Sequence, residues 1–299
     1  MLFNSYGFIF IFLPLTLLGF HLIGKRGHHR VAISWLVVAS LLFYGWWNPA
    51  YLALILISVL FNYAIGITLN TSRQKNKKGV LFFGIAANLI ALGYYKYANF
   101  FIDNFNLAAG SEIVLQQVIL PLAISFFTFQ SMSYSIDVYR GQFQAERNFI
   151  KFATFVAFFP QLIAGPIERA KSLLPQLQRP RRISATDIAD GLSIFIVGLF
   201  KKVALADFLA IYVDKIYSDP TNYGSLSLIC ATYAFAWQIY FDFSGYTDMA
   251  RAIGRLLVIR IMLSVNNPYL ATSLGDFWTR WHISLSTWFK DYVYIPMGG

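Results

Sequence analysis

Charge is scarce in this chain. Only 13% of its 299 residues are Asp, Glu, Lys or Arg, about half the share of an ordinary soluble domain. Hydrophobic residues make up 57% and aromatic residues 18%, too apolar for the two soluble cores that length alone suggests. Cysteine is scarcer still. Cys230 is alone, so no intrachain disulfide can form, the redox compartment goes unmarked, and its apolar surroundings suggest packing. The sequence contains no HExxH, no Walker loop, no GxSxG and no Cys-x-x-Cys pair, which removes the best-marked peptidase, nucleotidase, hydrolase and thiol-redox signatures. No repeat of 20 to 50 residues recurs, and the single proline-rich stretch is LLPQLQRPRR at Leu173 to Arg182, read as a cytoplasmic loop.

What is present is long apolar runs. A bilayer crossing needs about 20 apolar residues, and on that measure spans are expected at residues 4–23, 31–47, 50–69, 80–97, 114–136, 190–212 and 225–243. The expected fold is an all-α integral membrane protein, a multi-span helical bundle with re-entrant and interfacial amphipathic helices, and a single transmembrane domain over residues 1–299. The first span, with no small-residue cleavage site after it, reads as an uncleaved anchor. Residues 152–167 are uncharged but broken by Pro160, Gly165 and Pro166, which suits a re-entrant hairpin buried against protein.

Lys and Arg test this map independently. Lys25, Arg26 and Arg30, then Arg73, Lys75, Lys77 and Lys78, then Arg140, Arg147 and Lys151, then Arg169, Lys171, Arg179, Arg181 and Arg182 fall in loops of one side. The positive-inside rule makes that side cytoplasmic and puts the N-terminus outside. The opposite loops hold Asn48 and Pro49, then Asp103 and Glu112, then Asp214, Lys215 and Asp219. The formal charge of +10 is therefore topology. It forms no groove or stripe for nucleic acid.

Two polar tracts interrupt the apolar background. The first, QIYFDFSGYTDMARAIGR at Gln238 to Arg255, sets Asp242 between Phe241 and Phe243. Such a carboxylate must pair or face a polar cavity, with Arg251, Arg255 or Arg280 as expected counter-ions. Structural pairing and substrate contact both remain open, and Ser244, Gly245 and Tyr246 suggest a turn. Lys201 and Lys202 pose the same question, with Asp207 as a partner or snorkelling as the escape. The second tract ends in DFWTRWHISLSTWFKDYVYIPMGG. Drawn as one helix over residues 276–291, Phe277, Trp278, Trp281, Leu285, Trp288 and Phe289 share an apolar arc, with Trp281 expected to be buried. Asp276, Thr279, Arg280, Ser284, Ser286, Thr287 and Lys290 make a wet face, and His282 sits at the edge. Trp278, Arg280, Trp281, Ser284 and Ser286 surround that histidine with a charge for an anionic group and hydroxyls to orient water or substrate. A merely hydrogen-bonded interfacial histidine is the alternative. His21, His28 and His29 lie at a span end or in the basic loop, where an interfacial or solvated role is expected and metal binding is not.

The chain resembles the membrane-bound O-acyltransferase family, in particular its alginate O-acetyltransferase-like branch. The resemblance runs through MLFNSYGFIFIFLPL, FYGWWNP at Phe43 to Pro49, GYYKYANFF, ISFFTFQSMSYSIDVYRG, FPQLIAGPIER, FDFSGYTDMA and the final Trp-His tract. Transferases that attach D-alanine to teichoic acids are similar at a greater distance. The resemblance implies acyl transfer from a thioester donor, acetyl-CoA or an acyl carrier, to a hydroxyl of an exported polysaccharide such as alginate. It also implies no tightly bound cofactor or metal, a bacterial inner-membrane location, membrane lipid around the chain, and periplasmic or extracellular acetylation partners. His282 matches an upstream polar position of the family, while Asp242, Ser244, Tyr246, Asp276, Trp278, Arg280, Trp281, Ser284 and Ser286 are substrate or funnel candidates. An invariant histidine in a Leu-Trp-His-Gly-like segment further downstream has no match in these 299 residues, so an N-terminal piece of a longer enzyme, inactive alone, is expected. The competing class is a transporter or channel component, suggested by broken helices and buried charges and opposed by the missing repeat symmetry.

Overall fold

The computed structural model describes residues 1–71, 73–111, 113, 119–178 and 182–299. Glu112, Arg179, Arg181 and the first five residues of the span expected at 114–136 lie outside them. No strand occurs among the described residues. In chain order the helices are α1 (Leu13–Lys25, entered through a π-helical Phe8–Phe12), α2 (His29–Gly45), α3 (Tyr51–Thr71), α4 (Gln74–Ala109), α5 (Ile124–Tyr139), α6 (Phe149–Ala157), α7 (Phe159–Leu162) and α8 (Ala170–Leu173). They continue with α9 (Ala185–Phe200), a π-helical Lys201–Ala206, α10 (Asp207–Tyr217), α11 (Ser225–Leu256), α12 (Leu274–Arg280) and α13 (Ile283–Phe289).

Among the described residues three helices are long and apolar enough to cross a membrane: Phe8–Lys25, α3 and α4. The seven expected crossings do not all meet that standard. His29–Gly45 is shorter; α5 starts at Ile124, not 114, and has 16 residues; and the stretches at 190–212 and 225–243 fall on helices carrying Lys201, Lys202, Asp207 and Asp242. Helix α4, by contrast, is longer than expected. Its 36 residues rise about 54 Å at 1.5 Å each, against a hydrocarbon core of about 30 Å. The basic segment at 75–78 and most of the acidic one at 101–113 are therefore its ends and not loops.

The chain divides into two compact units. One comprises Val37–Ile163 and Arg169–Leu174. In it α3, α4 and α5 pack on one another and α6 packs on α3. Helix α5 is buried almost all round, including Thr128, Gln130, Ser131, Ser133, Ser135 and Asp137, which separates it from a lipid-facing span. Buried amides need partners. Gln130 and Gln161 both donate to the Phe155 carbonyl at 2.6 Å, and Asn62 and Asn88 exchange amide hydrogen bonds at 3.2 and 2.9 Å between α3 and α4. Gly66 lets α5 approach: a Cβ there would lie 2.5 Å from the Tyr134 ring. The run 152–162 is buried and breaks at Phe158, whose ψ of 108° ends α6 ahead of Pro160.

The other unit comprises Met1–Leu36, Ala164–Glu168 and Pro175–Gly299. Trp35 Nε1 donates to the Thr16 carbonyl, tying the start of α2 to α1. Helix α9 begins at a capping box, in which Ser184 and Asp187 each accept from the other's backbone N–H, and runs through the π segment into α10, packed along α11. Ser244, Gly245 and Tyr246 form no turn; all three lie inside the 32-residue α11. Gly245 instead permits close helix contact. A Cβ on it would meet the Gly198 carbonyl oxygen at 2.7 Å, and a Cβ on Gly198 would meet the Gly245 oxygen at the same distance. Cys230 is free and exposed on this helix rather than packed. Val258, at φ 58°, turns the chain out of α11 into an extended run toward α12.

Candidate functional site

The expected single helix over 276–291 is two helices. Trp281 is extended and His282 left-handed, at φ 43° and ψ 51°. The left-handed region costs a side-chain-bearing residue of order 1 kcal/mol or more, and non-local hydrogen bonds hold this one there. Ile283 N–H donates to the Ser264 carbonyl at 2.8 Å, and Asn266 N–H donates to the Arg280 carbonyl at 2.8 Å. The His282 carbonyl then accepts from Leu285 and Ser286, both at 3.0 Å, and starts α13. Two faces drawn on a continuous wheel therefore do not survive. Ser284 is fully buried and Trp288 is 3% exposed, while Trp278 is 56% and Phe289 45% exposed. Trp281, expected to be buried, is only half-buried.

The break aims the imidazole inward. Nδ1 of His282 lies 3.4 Å from Ser264 Oγ and 3.4 Å from Ser284 Oγ, and the two hydroxyls are 3.2 Å apart. Phe243 of α11 covers one side of the ring at 4.7 Å between centroids, and Trp281 lies 5.4 Å from the same phenyl. Burial pulls the His282 pKa from the usual 6.5 down to about 4, because a desolvated site disfavours the charged form. At neutral pH the ring is therefore uncharged and has a lone pair to offer. Among the described residues Nε2 has no protein partner.

The remaining candidates divide between this cluster and a separate ionic one. Asp276 accepts from Arg280 Nε at 2.7 Å and from Thr272 N–H at 3.2 Å, and these hold its carboxyl below the usual carboxylate range, Arg280 first. Arg280 is thus committed to Asp276 and is not a spare charge for an anionic group. Ser286 Oγ donates to the Trp281 carbonyl at 3.3 Å. Trp278 meets the ring of Phe277 edge to face.

Asp242 pairs with Lys202 at 2.5 Å, not with any of the three expected arginines. Arg251 sits on Asp248 at 3.4 Å, Arg255 on Asp187 and Asp190 at 3.0 and 2.9 Å. Lys202 also reaches Asp207 at 2.8 Å, as expected. Lys201 donates to Asp248 at 2.7 Å and to Ser244 at 3.0 Å. Both lysines belong to the π segment, whose widened turn presents them to α11; such bulges recur at functional sites. Tyr246 stacks on Phe3, with centroids 4.6 Å apart.

Ser264, Phe243 and Asp248 were missed from sequence. A serine inside the apolar run RIMLSV was the available signal for the first. Among the described residues no three His, Cys, Asp or Glu side chains are grouped as a metal site. His21 and His29 are not merely solvated: their Nε2 atoms donate to the Leu256 and Leu177 carbonyls at 2.7 and 2.9 Å.

Residues 146–299 match the family model described as the membrane-bound O-acyltransferase family. The chain belongs to that family. As a membrane-bound O-acyltransferase family member it is 43% identical over 307 residues to the probable alginate O-acetylase AlgI of Pseudomonas putida, covering 100% of this chain and 62% of that protein. It is 38% identical over 327 residues to the peptidoglycan O-acetyltransferase of Helicobacter pylori, covering 100% and 62%. The teichoic acid D-alanyltransferase of Bacillus subtilis is 27% identical over 176 residues, covering 58% of this chain and 45% of its own length. The chain thus spans less than two thirds of the length of these relatives. None of them is named as a transporter.

Proposed function

We propose that the protein is a membrane O-acyltransferase that moves an acyl group, acetyl by likeness to its relatives, from a thioester donor to a hydroxyl of an exported polysaccharide such as alginate. The carrying observation is the His282 ring, pinned in a left-handed turn against Ser264 and Ser284 within a match to this family. In this reading Nδ1–H donates to the serine oxygens and leaves the Nε2 lone pair for the acceptor. The acceptor O–H gives its proton to Nε2 as its oxygen bonds to the thioester carbonyl carbon. The carbon–sulfur bond then breaks, and the thiolate leaves with the proton from the imidazolium. A hydroxyl is a poor nucleophile at neutral pH, so a neutral imidazole in reach is the chemistry required.

The donor is read as acetyl-CoA or an acyl carrier, and the acceptor side as served by periplasmic or extracellular partner proteins. The 299 residues are taken as part of one multi-pass domain in the bacterial plasma membrane, N-terminus outside, with the buried, broken run at 152–167 as a re-entrant hairpin. Asp242, Ser244 and Tyr246 are assigned to the wall of the substrate path, with Asp276, Trp278, Arg280, Trp281 and Ser286 around the His282 turn.

Reconstitution of the longer enzyme tests this, because these 299 residues span less than two thirds of their relatives and are read as a part that is inactive alone. Protein in sealed vesicles is given a radiolabelled acetyl thioester and a soluble oligosaccharide acceptor. Label in the oligosaccharide supports the reading; flux of solute across the vesicle without acyl transfer overturns it.

A further inference from the structure

A cavity of about 630 Å³ lies within the unit that holds His282, but none of the His282 cluster lines it. Its walls are partly apolar, with Phe20, Ile33, Leu177, Ile183, Leu257 and Val258 among them. Lys25 and Arg182 also line it, and neither makes an ion pair among the described residues. A smaller hollow of about 270 Å³ shares Arg182 and Val258 and adds Arg255 and Arg260, with Asp187 as its carboxylate. Lys25 is the last residue of the spanning helix Phe8–Lys25. That end of a span lies at the level of lipid headgroups, where Lys and Arg flank the hydrocarbon core.

We propose that this cavity binds one anionic phospholipid, its phosphate held between Lys25 and Arg182 and an acyl chain laid along the apolar wall. Charge complementarity selects the occupant: basic pockets beside membrane-crossing helices capture acidic headgroups, and each cation near such a surface contributes roughly fivefold in affinity. A zwitterionic headgroup brings its own ammonium against the same two cations. The cavity also has room for a chain. Gly24 lines it, and a Cβ added there meets no atom within 4 Å.

The purified protein in zwitterionic detergent is offered equimolar phosphatidylglycerol and phosphatidylcholine, and retained lipid is counted by native mass spectrometry. One phosphatidylglycerol per protein is expected, with the preference falling by roughly thirtyfold in Lys25→Ala/Arg182→Ala. Gly24→Trp fills the cavity without touching either charge. It should abolish retention while leaving the melting temperature in phosphatidylcholine unchanged. Equal retention of both lipids, or a preference that survives Gly24→Trp, overturns the proposal. Coenzyme A and inorganic phosphate are run without phospholipid. If either raises the melting temperature as much as phosphatidylglycerol does, the site belongs to a soluble phosphate compound and the lipid assignment is wrong.

Discussion

Ser264 Oγ lies 3.4 Å from Nδ1 of His282, although 18 residues of chain separate them. The contact exists because the Ser264 carbonyl also accepts the N–H of Ile283, so one residue fixes both the backbone turn and the ring it carries. The imidazole is thereby buried without being charged. A pH dependence follows from that.

His282 has a folded-state pKa of about 4 against an ordinary 6.5. A depressed value means the folded protein resists a proton that the unfolded chain accepts, so the contribution of this site to stability is present above pH 6.5 and is lost as pH falls toward 4. The melting temperature of the wild type relative to His282→Gln should be constant above pH 6.5 and fall between 6.5 and 4. A relative rise in that window contradicts the buried, neutral ring.

Trp288, 3% exposed, and Trp278, 56% exposed, carry opposite expectations. Trp288→Ala should cost about 3 to 5 kcal/mol, whereas Trp278→Ala should lie within about 0.5 kcal/mol of the wild type. Denaturant melts in detergent compare them directly. Equal losses mean that α12 and α13 share a face after all.

Gly198 and Gly245 face each other across α9 and α11. A Cβ on either meets backbone, which cannot swing aside as a side chain can, so Gly245→Val should lower stability by more than the roughly 1 to 3 kcal/mol typical of an overpacked site. The check is the melting temperature beside that of Gly93→Val, at a glycine with open space around it. No difference between the two removes the contact from the account.

Much of the membrane architecture was legible in the sequence because apolar length is a local property: Phe8–Lys25 and α3 lie close to where uncharged runs put them. The ends of α4 were not, since a helix continues through Lys75 and Asp103 as readily as a loop does once it has left the bilayer. The break at His282 was illegible for a different reason. Nothing in TRWHISL punctuates a helix; the hydrogen bonds that stop it come from Ser264 and Asn266, on a distant segment. Asp242 was read as having to pair or face a polar cavity, with an arginine as counter-ion; it pairs, but with Lys202, presented by a π segment that no local spacing announces.

Orientation rests on charge alone and can be measured. In a Cys230→Ser background, cysteines are introduced at Asn76 and Asn104, near opposite ends of α4 and both exposed. An impermeant thiol reagent applied to intact cells should label the position-104 cysteine and spare the position-76 cysteine, because four cations flank the first end and acidic residues the second. Labelling in the reverse order inverts the map.

The central claim is that the His282 ring takes the acceptor proton. The most direct measurement is the number of acetyl groups on exported polysaccharide, by NMR, in cells producing the longer enzyme with His282→Ala or His282→Gln at the membrane abundance of the wild type. General-base removal costs roughly 10²- to 10⁴-fold, so both variants should insert normally and lose acetylation by at least about a hundredfold. Acetylation at the wild-type level in either variant contradicts the account and leaves His282 a hydrogen-bonded residue of the turn.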